Sequence, residues 1–147
     1  MIGSVVHPKI RVIVIDDSAF MRAALSRMIA SEPDFEVVAT ASDGVNALHK
    51  ISTLAPDVVT LDINMPGLDG IGTLRRIMAE FPLPVIMVSS ATAEDAEIAF
   101  EALSAGAFDC VAKQMSTTSL EIDHIRDDLI AKLRAKHRDV GDSEDRQ

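Results

Sequence analysis

Five short apolar runs rich in Val and Ile alternate with longer segments of helical spacing, and this alternation constrains the fold more than any other feature. The predicted strands are residues 10–15, 35–39, 58–61, 85–88 and 107–111. Because the runs are continuously apolar, both faces of each strand should be covered, which in a βα alternation means a parallel sheet. The sequence therefore predicts an α/β fold, a doubly wound five-stranded parallel sheet flanked by five helices.

The predicted helices each carry apolar residues on one face. In the first helix, residues 19–29, these are Met21, Leu25, Met28 and Ile29. The second helix has Val45, Leu48 and Ile51, and the last, residues 120–136, has Ile122, Ile125, Leu129 and Leu133. With 147 residues, one domain is expected at 9–137, with an N-terminal extension at 1–8 and a polar tail or linker stump at 138–147.

Composition excludes several classes of function. The net charge of -9 comes from 23 acidic and 14 basic residues without a basic cluster, so we expect no nucleic-acid binding. No apolar run reaches the roughly 18 residues that span a bilayer, so no membrane insertion is expected. A single cysteine, Cys110, cannot form an internal disulfide and is typical of a reducing, cytoplasmic compartment.

Polar residues stand at the carboxyl ends of four predicted strands. They are Asp16 and Asp17 after the first strand, Asp62 after the third, Ser89 after the fourth and Lys113 after the fifth. The carboxyl ends of parallel strands share one edge of the sheet, and ligands bind there where the strand order reverses. These side chains are therefore expected to converge on one crevice.

Three converging carboxylates need a cation, because two charges about 4 Å apart repel by about 4 kcal/mol at an effective dielectric near 20. Carboxylate and carbonyl oxygens are the ligands that Mg²⁺ accepts. An aspartate beside magnesium can also attack phosphorus, with a lysine such as Lys113 neutralising charge and the Ser89 hydroxyl donating a hydrogen bond. The duller alternative for Asp17 is that it caps the helix that begins near Ala19.

The motifs "DDS", "LDINMPGLDG" and "VSSAT", together with the strand-five lysine, resemble the receiver domain of two-component response regulators, from Lys9 to about Lys136. The segments "DDSAFMR", "DVVTLDINMP", "LRRIMAEFPLPVIMVSS" and "ALSAGAFDCVAK" are more narrowly similar to the receiver of the chemotaxis protein-glutamate methylesterase. The resemblance implies a flavodoxin-like receiver fold. It also implies a phosphoryl group donated by a chemotaxis-type histidine kinase.

The resemblance implies specific roles at the strand ends. Asp62 would be the phosphoacceptor and a magnesium ligand, and Asp17 a direct ligand. Asp16 would act through water, and Asn64 would supply its backbone carbonyl.

The family pattern continues at Ser89, in place of the switch Thr or Ser, and at Lys113, in place of the phosphate-binding lysine. Two positions depart from that pattern. Gln114 follows the lysine where a proline is usual, and Cys110 replaces the usual switch aromatic. By itself, Cys110 is predicted to be a small core residue rather than a reactive thiol.

The implied output is an attached C-terminal methylesterase domain, although this chain has no Gly-x-Ser-x-Gly segment and no esterase activity is expected of it. Two alternatives stay open: a stand-alone receiver, or a degenerate receiver that binds proteins without phosphorylation. A third reading, a phosphohydrolase resembling the haloacid dehalogenase group, would need an acid where Asn64 stands. The sequence leaves the oligomeric state undetermined.

Overall fold

Five strands lie in one parallel sheet, as predicted, and helices cover both of its faces. The computed structural model describes residues 8–65, 69–90, 93–113 and 125–135, without the side chains of 90, 93 and 113. Its strands are β1 (Ile10–Ile15), β2 (Phe35–Ala41), β3 (Val58–Asp62), β4 (Val85–Ser90) and β5 (Asp109–Lys113). Its helices are α1 (Ala19–Ala30), α2 (Gly44–Leu54), α3 (Gly70–Glu80), α4 (Ala93–Ser104) and α5, described over 125–135.

Several predicted segments lie outside these ranges. They are the N-terminal extension up to residue 7, the first residues of the predicted last helix, and the tail 138–147. Within the described ranges, no helix combines the length and the apolar character that a bilayer crossing requires.

The strand order is β2-β1-β3-β4-β5. The chain moves outward from β1 to β2, then returns past β1 to form β3 and continues in the opposite direction across the sheet. This reversal places the carboxyl ends of β1 and β3 side by side without a connection filling the space between them. In register, Ile15 pairs with Leu61, so Asp16 and Asp62 follow directly on paired residues.

The sheet separates two apolar cores. Alternate residues of β1 enter different cores: Val12 and Val14 face α1 and α5, whereas Ile13 and Ile15 face α2, α3 and α4. The buried residues of α1 and α5 in the first core are Met21, Leu25, Ile29, Ile125, Leu129, Ile130 and Leu133. The continuous apolar strands thus reflect burial on both sides, as the sequence predicts.

The predicted core face of α2 was wrong at its first position. Val45 is 72% exposed, because the buried stripe runs through Gly44, Ala47, Leu48 and Ile51. Those four positions follow the i, i+3, i+4, i+7 spacing from Gly44, and Val45 lies one position off it. A buried glycine such as Gly44 is not recognised by a search for large apolar residues in the sequence.

The fifth strand begins two residues later than predicted. The Ala107 N–H donates to the Ala102 carbonyl (3.0 Å) and so still belongs to the end of α4. Gly106, with φ of 114°, makes the turn between α4 and the strand. The apolar run at 107–111 therefore combined a helix cap with a strand.

Arg134 fastens α5 to the loop between α1 and β2. Its Nε and Nη2 donate to the two carboxylate oxygens of Asp34 (2.9 and 2.8 Å), and Nη2 also donates to Glu32 (2.9 Å). The guanidinium lies 5.6 Å from the centre of the Phe35 ring. Hydrogen bonds to Asp34 and Glu32 raise the pKa of Arg134. This forked contact joins segments about a hundred residues apart in sequence.

Replacing Arg134 with Ala should lower the free energy of unfolding by about 1 kcal/mol, since the group is partly exposed and screened but binds bidentately beside a ring. Arg134→Lys should recover only part of the loss, because an ammonium cannot form the two parallel bonds. Urea unfolding followed by circular dichroism measures both. Arg76→Ala, which removes an exposed i,i+4 pair with Glu80, is the control and should cost less.

Candidate functional site

Three carboxylates meet where the strand order reverses. One oxygen of each of Asp16, Asp17 and Asp62 lies within 4.8 Å of the other two. Asp16 and Asp62 are buried, at 0% and 2% exposure, whereas Asp17 is exposed. The predicted convergence of these three acids is therefore present in the structure.

The carboxyl end of β1 holds Asp16 through main-chain and side-chain contacts. The Asp16 N–H donates to the Ala41 carbonyl at the end of β2 (3.0 Å). The Ser18 N–H donates to Asp16 Oδ1 (2.9 Å), and Arg22 Nη1 donates to the Asp16 carbonyl (2.8 Å). A buried carboxylate needs such donors, because desolvation disfavours its charged form.

Asp17 does not cap α1. The N-cap is Ser18, whose Oγ accepts a hydrogen bond from the Met21 N–H (3.2 Å). The capping alternative for Asp17 is thus wrong.

The carboxyl end of β3 turns tightly around Asp62. The Asn64 N–H donates to Asp62 Oδ1 (3.2 Å), and the Ile63 N–H still donates to the Val88 carbonyl (3.1 Å). Gly70 closes the turn by donating to the Ile63 carbonyl (3.1 Å). A Cβ at Gly70 would overlap the main-chain oxygens of Asp62 and Ile63, so this close approach requires glycine.

The next two strands end at the same edge. Ser89 is buried in β4, one residue past Val88, which pairs with Asp62. Lys113 is the last residue of β5 and pairs with Ser90. The Lys113 side chain and Gln114 lie outside the described residues.

A cleft of about 620 Å³ opens beside the acids and runs between α3 and α4. Asp17 and Asn64 line its end nearest the acids. The other lining residues are Ile63, Met65, Asp69, Ile71, Arg75, Ile98 and Glu101. Arg75 and Glu101 form an exposed ion pair across it at 3.0 Å.

The family model for the response regulator receiver domain matches residues 12–123, which includes all of these strand ends. The chain belongs to the response regulator receiver family. Receiver domains generally use Mg²⁺ at an acidic pocket, and the three aspartates form such a pocket in this chain.

Among its relatives, the protein-glutamate methylesterase/protein-glutamine glutaminase of Symbiobacterium thermophilum is 55% identical over 130 residues, which are 88% of this chain and 36% of that protein. The corresponding protein of Pyrococcus abyssi is 46% identical, over 86% of this chain and 34% of its own length. This receiver therefore spans about a third of these curated relatives.

Solved structures agree with this assignment. The response regulator domain of Thermotoga maritima CheB has a TM-score of 0.79 and 48% identity, over 87% of this chain and 96% of that chain. A chain of the CheX–CheY–BeF3–Mg²⁺ complex from Borrelia burgdorferi has a TM-score of 0.73 and 30% identity, over 87% of this chain and 89% of that chain. This receiver is thus homologous to CheB-type chemotaxis receivers, as its motifs predicted.

Cys110 occupies a packed position in this receiver. It is half-buried, and its Sγ donates to the Ala99 carbonyl on α4 (3.7 Å). Burial raises the pKa of the Cys110 thiol, the neighbouring Asp109 adds to that rise, and Lys132 opposes it. These contacts support a small packing residue rather than a reactive thiol.

One buried acid beside the site was not found from the sequence. Asp95, in the first turn of α4, is 5% exposed, and its two carboxylate oxygens lie 3.1 and 2.9 Å from Nδ2 of Asn64. The two residues are 31 positions apart. Only the folded arrangement of α4 against the β3–α3 turn brings them together.

Replacing Gly70 with Ala should lower the free energy of unfolding by about 1–3 kcal/mol, because the new methyl group must displace main-chain atoms. It should also weaken magnesium binding, since the displaced oxygens belong to Asp62 and Ile63. Denaturant unfolding and titration calorimetry measure the two effects. The control is Gly72→Ala, two residues further along α3, which should raise helix propensity by up to about 1 kcal/mol. Equal behaviour of the two variants would contradict the close-approach argument.

The alkylation rate of Cys110 should reach its midpoint at a higher pH in the folded protein than in the urea-unfolded chain, because burial raises the thiol pKa. Asp109→Asn should lower that midpoint, and Lys132→Met should raise it, since the two charges act in opposite directions. Iodoacetamide labelling followed by mass spectrometry measures the profiles from about pH 7 to about pH 10, a range that brackets the ordinary pKa of a cysteine thiol. A folded-state midpoint at or below the unfolded one would contradict the packing interpretation.

Proposed function

We propose that this chain is a phosphoryl-accepting switch of a chemotaxis signalling pathway, with Asp62 as the modified residue. The observation that carries the proposal is the convergence of Asp16, Asp17 and Asp62 within 4.8 Å at the point where the strand order reverses. Of the three, Asp62 ends β3 at the centre of the sheet, and its partner in β4, Val88, directly precedes the buried Ser89.

The donor set fits magnesium. All three side chains offer hard carboxylate oxygens, and the Asn64 carbonyl follows in the same turn. One oxygen of each acid lies within 4.8 Å of the other two, so one cation could be shared among them. Asp17 and Asp62 would bind magnesium directly, and Asp16 would bind it through water.

The proposed reaction is an in-line transfer from a phosphohistidine to Asp62. An Asp62 carboxylate oxygen attacks phosphorus, the P–N bond breaks, and the departing imidazole nitrogen keeps the electron pair and gains a proton. Bound magnesium would supply charge neutralisation for the transferring oxygens. Hydrolysis of the acyl phosphate returns Asp62 and inorganic phosphate.

Ser89 and Lys113 are proposed to hold the phosphoryl group after transfer. Ser89 lies in β4, one residue beyond the partner of Asp62, and its hydroxyl would donate to a phosphoryl oxygen. Lys113 ends the adjacent strand and can supply a positive charge. Both residues thus connect Asp62 to β4 and β5.

We also propose a cytoplasmic location, a chemotaxis-type histidine kinase as phosphoryl donor, and control of a methylesterase as the output. The support is that curated relatives 46–55% identical to this chain carry the methylesterase name and that a CheB receiver shares this fold. The net charge of -9 does not favour nucleic acid as the target.

The first test is intact mass after incubation with acetyl phosphate and Mg²⁺. We expect one added phosphoryl group on the native chain. We expect none on Asp62→Asn, which lacks the nucleophile, and none with EDTA present, which removes the cation. The Asp62→Asn variant should keep its circular dichroism spectrum.

An unmodified but folded native chain that also takes no phosphoryl from a chemotaxis kinase would contradict the proposal. That result would favour the phosphorylation-independent binding module. A phosphoryl group retained by Asp62→Asn would instead place the modification on another residue.

A further inference from the structure

We propose that Asp95 is a positioning residue for the acid site: it holds the Asn64 side chain and thereby fixes the turn that carries Asp62. The contact links α4 to the carboxyl end of β3 through a charge-assisted hydrogen bond of 2.9 Å, with the second carboxylate oxygen at 3.1 Å. Its consequence for phosphoryl transfer rests on the proposed function. Its consequence for the turn does not.

The placement of Asp95 favours a specific contact over an incidental surface charge. The residue is 5% exposed, and burying a carboxylate costs free energy unless donors replace water. Its position in the first turn of α4 offsets part of that cost, because the positive end of the helix dipole favours an anion there. The Asn64 amide supplies a directed donor from the neighbouring loop.

Asn64 transmits this contact to the acid site through its backbone. While its side chain is held by Asp95, its N–H donates to Asp62 Oδ1 at 3.2 Å, so one residue is fixed at both ends. Its carbonyl is the one proposed to face the magnesium ion. Loss of Asp95 should therefore free the side chain, loosen the turn and misplace both main-chain groups.

The same contact works in the opposite direction. If the position of α4 affects the turn at Asp62, then a change at Asp62 affects α4 by the same free energy. The Asp95–Asn64 pair thus gives α4 a direct hydrogen-bonded connection to the proposed site of modification, separate from Ser89 and Lys113 on the adjacent strands.

The test compares Asp95→Ala, Asn64→Ala and the double variant with Glu97→Gln. Glu97 is exposed on the same helix, so its variant removes a charge without touching the turn. Three readouts are used: hydrogen exchange of the residue-64 main-chain N–H by NMR in metal-free protein, magnesium affinity by calorimetry, and the rate of phosphorylation by acetyl phosphate.

We expect about 10-fold faster exchange and about 10-fold weaker magnesium binding in each single variant, since the loss of one charge-assisted hydrogen bond should loosen the turn by about 1.4 kcal/mol, which is tenfold. Phosphorylation should slow mainly at low magnesium and recover as magnesium saturates. The double variant should resemble either single one, because Asp95 acts through Asn64. Asp95→Asn keeps an acceptor oxygen, so it should retain part of the native exchange protection and magnesium affinity. Glu97→Gln should match the native chain.

Unchanged exchange and magnesium affinity in a folded Asp95→Ala variant would overturn the proposal. So would additive effects in the double variant, which would mean that Asp95 and Asn64 act independently of each other. If Asp95→Ala does not fold, Asp95→Asn and Asn64→Ala still decide the matter. If the native chain takes no phosphoryl, the proposed function fails, while exchange and magnesium affinity still test the positioning role.

Discussion

The crowding of three carboxylates at one edge of the sheet is the constraint on which the rest of this structure depends. Asp16 and Asp62 are almost fully buried and have an oxygen within 4.8 Å of each other and of Asp17, so repulsion and desolvation both oppose folding. Two apolar cores, one on each side of the sheet, hold the strands in place against that cost. The free energy that holds the three acids close together therefore comes from the two apolar cores rather than from the acidic edge.

Both buried acids are held by the same local device. The Asp16 carboxylate accepts the N–H of Ser18, and the Asp62 carboxylate accepts the N–H of Asn64, in each case two residues further along the chain. The chain turns directly after each acid. After β1, Ser18 begins α1 as its N-cap. After β3, Gly70 approaches the turn more closely than a residue with a side chain could. Each of these two carboxylates thus accepts a main-chain hydrogen bond that does not depend on a cation.

Sequence patterns predicted the sheet and the convergence of the acids, because both follow from burial on two faces and from parallel topology. They failed where a feature has no apolar or local pattern. Gly44 contributes to the core without an apolar side chain, so Val45 was placed there wrongly, and Ala107 belongs to the end of α4 although it continues an apolar run. The Asp95–Asn64 contact depends on how α4 is rotated and set against a distant turn, which spacing within either segment cannot reveal.

Cys110 on β5 contacts the helices on both sides of the strand. Cys110 has no ring to rotate, its Sγ contacts α4, and its carbonyl accepts a hydrogen bond from Lys132 on α5 at 2.6 Å. Through Cys110, β5 therefore contacts both neighbouring helices. A change at Asp62 reaches α4 more directly through the β3 turn than through the packing at Cys110, because the turn and α4 already share a charge-assisted hydrogen bond. The described contacts thus connect the acid site to α4 through the β3 turn, whereas Cys110 offers no ring on β5 that could rotate.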